Sequence, residues 1–251
     1  MDLAPVIHFA LLLVRISTLV ATTPILGGSF APPTVKIGLA VLLTLVLLPV
    51  VSIPASLTGG TLVIIVVREF AIGFALALGI RALIAAAELG GYLIGFQLGF
   101  SYAGIVDPQS GVRNNLLAAL YASLTVMTLV TINAHHAIIR ALVVSYQALP
   151  LGTGALHASV VGAITALLGM IFYVGIQVAL PVVLVLCIVE LVLGIISRAT
   201  PSLNLMVVGA PARLLIGLAT LITTIQILPS LVGPLSQRAV ELAMRLAAGL
   251  R

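Results

Sequence analysis

The sequence predicts an all-α protein that is built into a membrane and crosses it several times. Of its 251 residues, 62% are hydrophobic and only 7% are charged, and the mean hydropathy is +1.35. A soluble globular chain is closer to roughly one-half apolar and one-quarter charged. Apolar runs long enough to cross a hydrocarbon core of about 30 Å recur along the whole chain, separated by short turns that contain Gly and Pro.

Seven apolar segments and a basic tail are expected in order along the chain. The segments cover residues 5–26, 37–57, 61–88, 89–106, 116–145, 158–196 and 203–235. Gly and Pro pairs mark the turn after the first segment, and Pro and Gly also mark the turn after the fourth. The tail, residues 236–251, has single charges among apolar residues and is expected to form a short amphipathic helix.

The sixth segment is too long for a simple span. As one helix, residues 158–196 would be about 58 Å long at about 1.5 Å per residue, against a hydrocarbon core of about 30 Å. The segment must therefore tilt strongly, break near Pro181, or leave the lipid. The chain also has no Trp, and its five Tyr form no belts at the segment ends. Both features favour a surface that is covered by other protein subunits more than by lipid.

Several classes of function do not fit this composition. The net charge of +5 comes from scattered arginines and a single lysine, so no basic stripe exists for nucleic acid. Cys187 is alone, which excludes an internal disulfide and a Cys-based zinc site. His135 and His136 have no carboxylate or Cys at a metal-ligand spacing. No nucleophile-elbow, phosphate-loop or zinc-protease motif occurs, so the sequence predicts neither an enzyme nor a bound cofactor.

Ionisable residues inside apolar segments are costly and are therefore candidates for function. They are Arg15, Glu69, Arg81, Glu88 and Glu190. Two interpretations of Arg15 are open. It could contact a pore or a substrate, or, in preference, it belongs to a polar stripe whose groups are satisfied by neighbouring helices. The carboxylates Glu69 and Glu88 could serve a proton relay, which needs a desolvated group with a perturbed pKa. Structural ion pairs between helices, or snorkelling at segment ends, are the preferred reading.

Two patterns at helical spacing predict close packing between helices. Glu190, Gly194 and Ser197 recur at spacings of four and three, which is typical of a packing face with a polar interhelical contact. A doubled small-residue pattern consists of Gly91, Gly95 and Gly99. Such positions let another backbone approach closely, or give flexibility beside a moving loop. The turn at residues 107–111 follows directly.

Four stretches of sequence carry a resemblance to a known family. They are RIS at 15–17 with TPILG at 23–27 and PTVKIGLA at 33–40; AE at 87–88 with GFQLGFS at 95–101 and VDP at 106–108; NAHH at 133–136 with LPLG at 149–152; and ALP at 179–181 with LGIISRATP at 193–201 and LN at 203–204. In this order and at this chain length, they resemble the FliR/SctT family of type III secretion export gates. No single motif is catalytic; the ordered set makes the resemblance specific.

The resemblance implies a helical subunit of a protein export gate. Residues 1–152 would be similar in fold to the partner FliP, and residues 153–251 would form a long FliQ-like hairpin with a short basic tail. The expected partners are FliP, FliQ, FlhB and FlhA, together with membrane lipid. The assembly would lie in the bacterial inner membrane at the flagellar basal body and pass unfolded flagellar proteins one at a time.

Two loops receive roles from the resemblance. A plug in the pore would be formed by Phe100, Ser101, Tyr102, Ile105, Val106, Asp107, Pro108 and Gly111, and apolar constrictions of this kind can gate by dewetting. The alternative is an ordinary tight loop. A contact with FlhB would be made by Arg198, Pro201 and Asn204.

Two alternative functions stay open at this stage. The first is the equivalent SctT-type subunit of an injectisome, which has parallel partners. The second is a small-molecule permease, which would be expected to contain inverted repeats and broken helices around a midplane site. No convincing inverted repeat occurs in the sequence, so the export-gate reading is preferred.

Overall fold

Helices account for all regular structure in the part of the chain that the computed structural model describes, which is residues 4–28, 31–51, 59–100, 115–152, 159–200 and 205–250. The prediction of an all-α chain is confirmed. In chain order the helices are α1 (Ala4–Thr22), α2 (Pro24–Gly27), α3 (Pro33–Leu47), α4 (Gly59–Leu98), α5 (Leu116–Thr131), α6 (Ala134–Ala148), α7 (Ser159–Ala199), α8 (Leu205–Thr224), a 3₁₀ turn (Ile225–Ile227) and α9 (Leu228–Ala248).

Four helical stretches in the described ranges are long and apolar enough to cross a membrane. They lie in α1, in α4, in α7 and in residues 209–248, which join α8 to α9. Helices α5 and α6 would make a fifth if they form one bent span. This confirms the multi-spanning class. The apolar windows of α1 and α4 are 44% and 50% buried within the chain, whereas that of α7 is only 17% buried. Most of the apolar surface of α7 therefore has no cover from the described residues.

Two expected boundaries are wrong. The third and fourth apolar segments form the single 40-residue helix α4, because no Pro or polar cluster separates them. The expected tail helix begins at Leu228 and not at residue 236. The chain passes from α8 to α9 through a 3₁₀ turn just before Pro229, which lacks the N–H that would bond to the carbonyl of Ile225 in a continuous α-helix.

The sixth segment does not break at its proline. Residues 159–199 form one α-helix, α7, with Pro181 inside it, so the predicted option of a break is wrong. The fifth segment, in contrast, is divided. The axes of α5 and α6 differ by 73°, and Asn133 at their junction has a left-handed φ of 57°. Asn tolerates this conformation better than most residues, which explains a sharp turn without Gly or Pro.

Contacts divide the chain into two compact units. The first unit contains Met1–Leu83, Leu129–Gly169 and Gly233–Arg251, and the second contains Ile84–Thr128 and Met170–Val232. The expected division at residue 152 concerns likeness to two other subunits, and it stays a prediction.

Glycines permit close helix contacts inside the first unit. A Cβ on Gly73 of α4 would lie 2.5 Å from the carbonyl oxygen of Arg15 in α1, and a Cβ on Gly79 would overlap the carbonyl oxygen of Ala239 in α9. Such short distances are possible only because Gly carries no side chain. The backbone of α1 can therefore approach α4 one turn away from Glu69.

Candidate functional site

A fully buried ion pair lies at the centre of the first unit. The Nε of Arg15 in α1 donates to the Oε2 of Glu69 in α4 at 2.6 Å, and neither side chain has any exposed surface. Leu12, Ile16 and Ile72 beside them are also completely buried. In such apolar surroundings an unpaired charge would be strongly unfavourable, so each of these two residues requires the other.

Both terminal nitrogens of the Arg15 guanidinium also donate hydrogen bonds within the same unit. Its two terminal nitrogens donate to the hydroxyl of Ser145 at 3.2 Å and to the carbonyl of Leu149 at 3.1 Å. The guanidinium also lies 4.2 Å from the ring centroid of Tyr146, a cation–π distance. The Tyr146 hydroxyl donates to the carbonyl of Leu12 at 3.3 Å. Arg15 thus ties α1 to α4 and to the end of α6.

The second oxygen of Glu69 holds the chain just after α6. Its Oε1 accepts the N–H of Gly152 at 3.3 Å. Gly152 has a φ of +76°, which favours Gly because this left-handed region strains other residues. The ion pair therefore fastens the turn at residues 149–152.

Sequence reasoning identified both ends of this pair but not their pairing. Arg15 and Glu69 are 54 residues apart, and helical spacing reports only neighbours within one helix. The structure contains an interhelical ion pair at Glu69, and neighbouring helices contact Arg15. The wider polar stripe of α1 is not satisfied in this way, because the hydroxyls of Thr18 and Thr22 donate to carbonyls of their own helix. Sequence reasoning did not identify Ser145 and Tyr146. It could have predicted the pairing of Arg15 with Glu69, since two isolated opposite charges in apolar segments are expected to form an ion pair.

The other two charged candidates on α4 lie at the surface. Arg81 is exposed and donates to the carbonyl of Thr22 at 3.3 Å, within the first unit. Glu88 is exposed in the second unit. Neither residue has the buried setting that a proton relay would need.

A second polar cluster lies in the second unit around Glu190 of α7. Its Oε1 accepts a hydrogen bond from the Nε2 of Gln97 in α4 at 3.1 Å, and it forms an ion pair with a terminal nitrogen of Arg213 in α8 at 2.9 Å. The side chains of Glu190 and Arg213 keep 39% and 32% of their surface exposed. Sequence reasoning singled out Glu190 and expected a polar interhelical contact there, but it named neither partner.

The glycine pattern at the end of α4 lies against α5 in the second unit. A Cβ on Gly91 would be 2.5 Å from the carbonyl oxygen of Leu117, and one on Gly95 would overlap the side chain of Asn115. Gly99 has a φ of 88° and closes the helix, since the N–H of Phe100 donates to the carbonyl of Gly95 at 3.0 Å. These close contacts are made within the chain. Close approach of another element at these glycines is one of the two interpretations of the pattern.

Most of the two candidate loops falls outside the described residues. This applies to Ser101, Tyr102, Ile105, Val106, Asp107, Pro108, Gly111, Pro201 and Asn204. Phe100 is exposed just beyond α4, and Arg198 is exposed in the last turn of α7. The plug and the FlhB contact therefore stay predictions from the resemblance.

Metal-ligating side chains are scattered in the described ranges. No three His, Cys, Asp or Glu side chains come together there as a metal site. The rings of His135 and His136 lie 4.3 Å apart at the start of α6, with no third ligand from the described residues.

Fold and polar contacts together define a class of protein: a multi-spanning helical membrane subunit with structural ion pairs and a largely uncovered apolar surface. Comparison of the sequence with known families then makes the assignment specific. The chain belongs to the bacterial export proteins, family 1, whose sequence model matches residues 6–239. This confirms the family that the sequence motifs predicted.

Individual relatives agree with this assignment over nearly their whole length. The flagellar biosynthetic protein FliR of Escherichia coli is 33% identical over 82% of this chain and 80% of its own. FliR of Pectobacterium carotovorum is 32% identical over 86% of this chain and 83% of its own. FliR of Bacillus subtilis is 29% identical over 90% and 88%, respectively.

Proposed function

We propose that this chain is a core, non-catalytic subunit of the flagellar type III export apparatus. With FliP and FliQ it forms the channel through which unfolded flagellar proteins cross the bacterial inner membrane, and FlhB and FlhA join the same assembly. The observation that carries the proposal is the family match over residues 6–239, together with FliR relatives that align along most of their length.

The distribution of burial supports a role inside an assembly. The apolar window of α7 is 17% buried, and that of residues 209–248, which includes α9, is 22% buried. These helices also carry half-exposed charged residues, which lipid tails would not satisfy. A neighbouring subunit can cover the apolar faces and still provide polar groups where they are needed.

Co-expression with the neighbouring FliP-like and FliQ-like subunits tests this proposal. With a tag on this chain, native mass spectrometry of the detergent-purified material should detect one mixed complex. A chain that purifies alone as a single species and transports a small solute in vesicles would support the permease instead.

Complementation separates flagellar export from the injectisome alternative. Expression of this chain, together with its FliP-like and FliQ-like partners, should restore swimming to a flagellated strain that lacks its own three subunits. Mixed complexes without any restored swimming, but with effector secretion in an injectisome strain, would assign the chain to the second system.

A further inference from the structure

The polar cluster around Glu190 is incomplete within the described chain. The hydrogen bond from Gln97 and the ion pair with Arg213 both involve the same carboxylate oxygen, Oε1. No described residue donates to the other oxygen, Oε2. The Nε of Arg213 is buried and also has no hydrogen-bond partner among the described residues. A carboxylate has about four acceptor positions, so Glu190 retains acceptor capacity on its exposed side.

The surface around this carboxylate is apolar. On α7, Leu191 and Ile195 are 68% and 70% exposed, and on α8 Leu215 is 70% exposed. In bulk water a half-exposed ion pair would be inexpensive, but this surface belongs to helices that are apolar enough to span a membrane. Wherever lipid or another apolar helix covers this surface, water cannot supply the missing hydrogen bond to Oε2, and a charged group without full pairing is costly.

Open space lies beside the carboxylate on the same helix. Gly194 follows Glu190 by one turn, and a Cβ added to it would meet nothing within 4 Å. A small residue next to a polar one is the arrangement that allows a second helix to approach closely and to form an interhelical hydrogen bond. Lipid tails could fill the space at Gly194, but they carry no donor for Oε2.

We propose that Glu190 and Gly194 form a docking point on α7 for an apolar helix of a neighbouring subunit, one that carries a hydrogen-bond donor. The donor is a hydroxyl, an amide or a cationic group, and it binds the free Oε2 of Glu190. The helix packs across Gly194 and covers Leu191 and Ile195. This inference rests on the proposed function, because it requires that the chain assembles with other membrane subunits.

Replacement of Glu190 by an isosteric amide tests the hydrogen bond. In Glu190→Gln, the amide oxygen can still accept from Gln97 and lie beside Arg213, while an NH₂ group that cannot accept takes the place of Oε2. We expect about tenfold less of this chain in the mixed complex with the FliP-like and FliQ-like subunits, the effect of one lost hydrogen bond to a charged group. The matched control is Glu241→Gln, which alters an exposed ion pair on α9 and should leave incorporation unchanged.

Two further measurements keep the test independent of folding. Gly194→Leu removes no contact inside the described chain, yet it should lower incorporation because its side chain occupies the docking space. A photoreactive benzoylphenylalanine at Ile195 should form an adduct with a co-expressed subunit. Wild-type incorporation of both Glu190→Gln and Gly194→Leu would overturn the docking point, and so would adducts with lipid only. If the unmodified chain itself fails to join the complex, the proposed function fails instead.

Discussion

Among the described residues, each of the two units contains one interhelical ion pair, and the two pairs differ in their hydrogen bonds and in their exposure. Arg15 and Glu69 in the first unit are 2.6 Å apart and have no exposed surface. Glu190 and Arg213 in the second unit are 2.9 Å apart, and about a third or more of each side chain is exposed. The first pair has further hydrogen bonds on both partners, whereas the second leaves Oε2 without a donor among the described residues.

This difference indicates two separate roles for charge in one apolar chain. A fully buried pair with further hydrogen bonds on both partners inside the chain fixes the arrangement of the helices that carry it. A half-exposed pair with spare acceptor capacity cannot be judged from the chain alone, because its energy depends on what covers it. We therefore expect variants of the first pair to affect folding of the chain, and variants of the second to affect assembly.

The largest effect is expected when one member of the buried pair is removed. Arg15→Leu or Glu69→Leu leaves a charge in the apolar interior, which should lower the free energy of unfolding by about 3–5 kcal/mol. The double variant removes both charges and should recover much of this loss. The measurement is SDS-titrated unfolding of the full chain in detergent micelles, followed by circular dichroism.

A matched variant in the second unit sharpens the comparison. Arg213→Leu removes a partly exposed partner and should cost less than Arg15→Leu in the same titration, because Glu190 keeps its hydrogen bond to Gln97 and is not enclosed by the chain. Equal losses for Arg15→Leu and Arg213→Leu would break the distinction between the two pairs. A double variant, Arg15→Leu with Glu69→Leu, no more stable than the singles would show that packing, and not charge, dominates at this position.

The next effect concerns helix contacts in the first unit. Gly79→Ala places a methyl group against the carbonyl oxygen of Ala239, and overpacking of this kind typically costs about 1–3 kcal/mol. Gly38→Ala is the control, because its Cβ meets nothing within 4 Å on the exposed side of α3. The control should stabilise the helix by about 0.5–1 kcal/mol. A destabilised Gly38→Ala with an unchanged Gly79→Ala, in the same titration, would contradict the close contact of α4 with α9.

Sequence reasoning predicted the fold class because a helix that crosses a membrane needs a long apolar run, and such runs are visible in the sequence. It predicted helix ends poorly, since the position of an end depends on whether a local break is strong enough to interrupt the helix. Pro181 looked like a possible break but lies inside α7, while Asn133 gave little signal and separates two helices by 73°. The loss of one hydrogen bond at a proline can be tolerated when packing and the rest of the ladder hold the helix.

The candidate sites show the same limit at the level of single residues. Unusual charges in apolar segments identified Arg15, Glu69 and Glu190, because each is costly wherever the chain folds. Their partners could not be predicted, since contacts between residues 54 or 93 positions apart depend on the three-dimensional packing of helices. Glu190 and Gly194 were predicted together only because both lie on one face of the same helix.

A small effect is also expected at Asn115, where the second unit has a polar contact that the chain completes by itself. The Oδ1 of Asn115 accepts the N–H of Leu117 at 3.0 Å as the N-cap of α5, and its Nδ2 donates to the carbonyl of Tyr92 in α4 at 3.1 Å. Asn115→Ala loses both contacts and should cost about 1 kcal/mol, the usual value of a cap. Asn115→Ser keeps a capping oxygen and loses only the bond to α4, so it should cost less.

The contact at Asn115 is expected to affect folding and not assembly, as the buried ion pair of the first unit does. Both variants should then shift the SDS titration and leave incorporation into the mixed complex unchanged. A normal titration with reduced incorporation would instead make Asn115, like Glu190, part of the surface that another subunit covers.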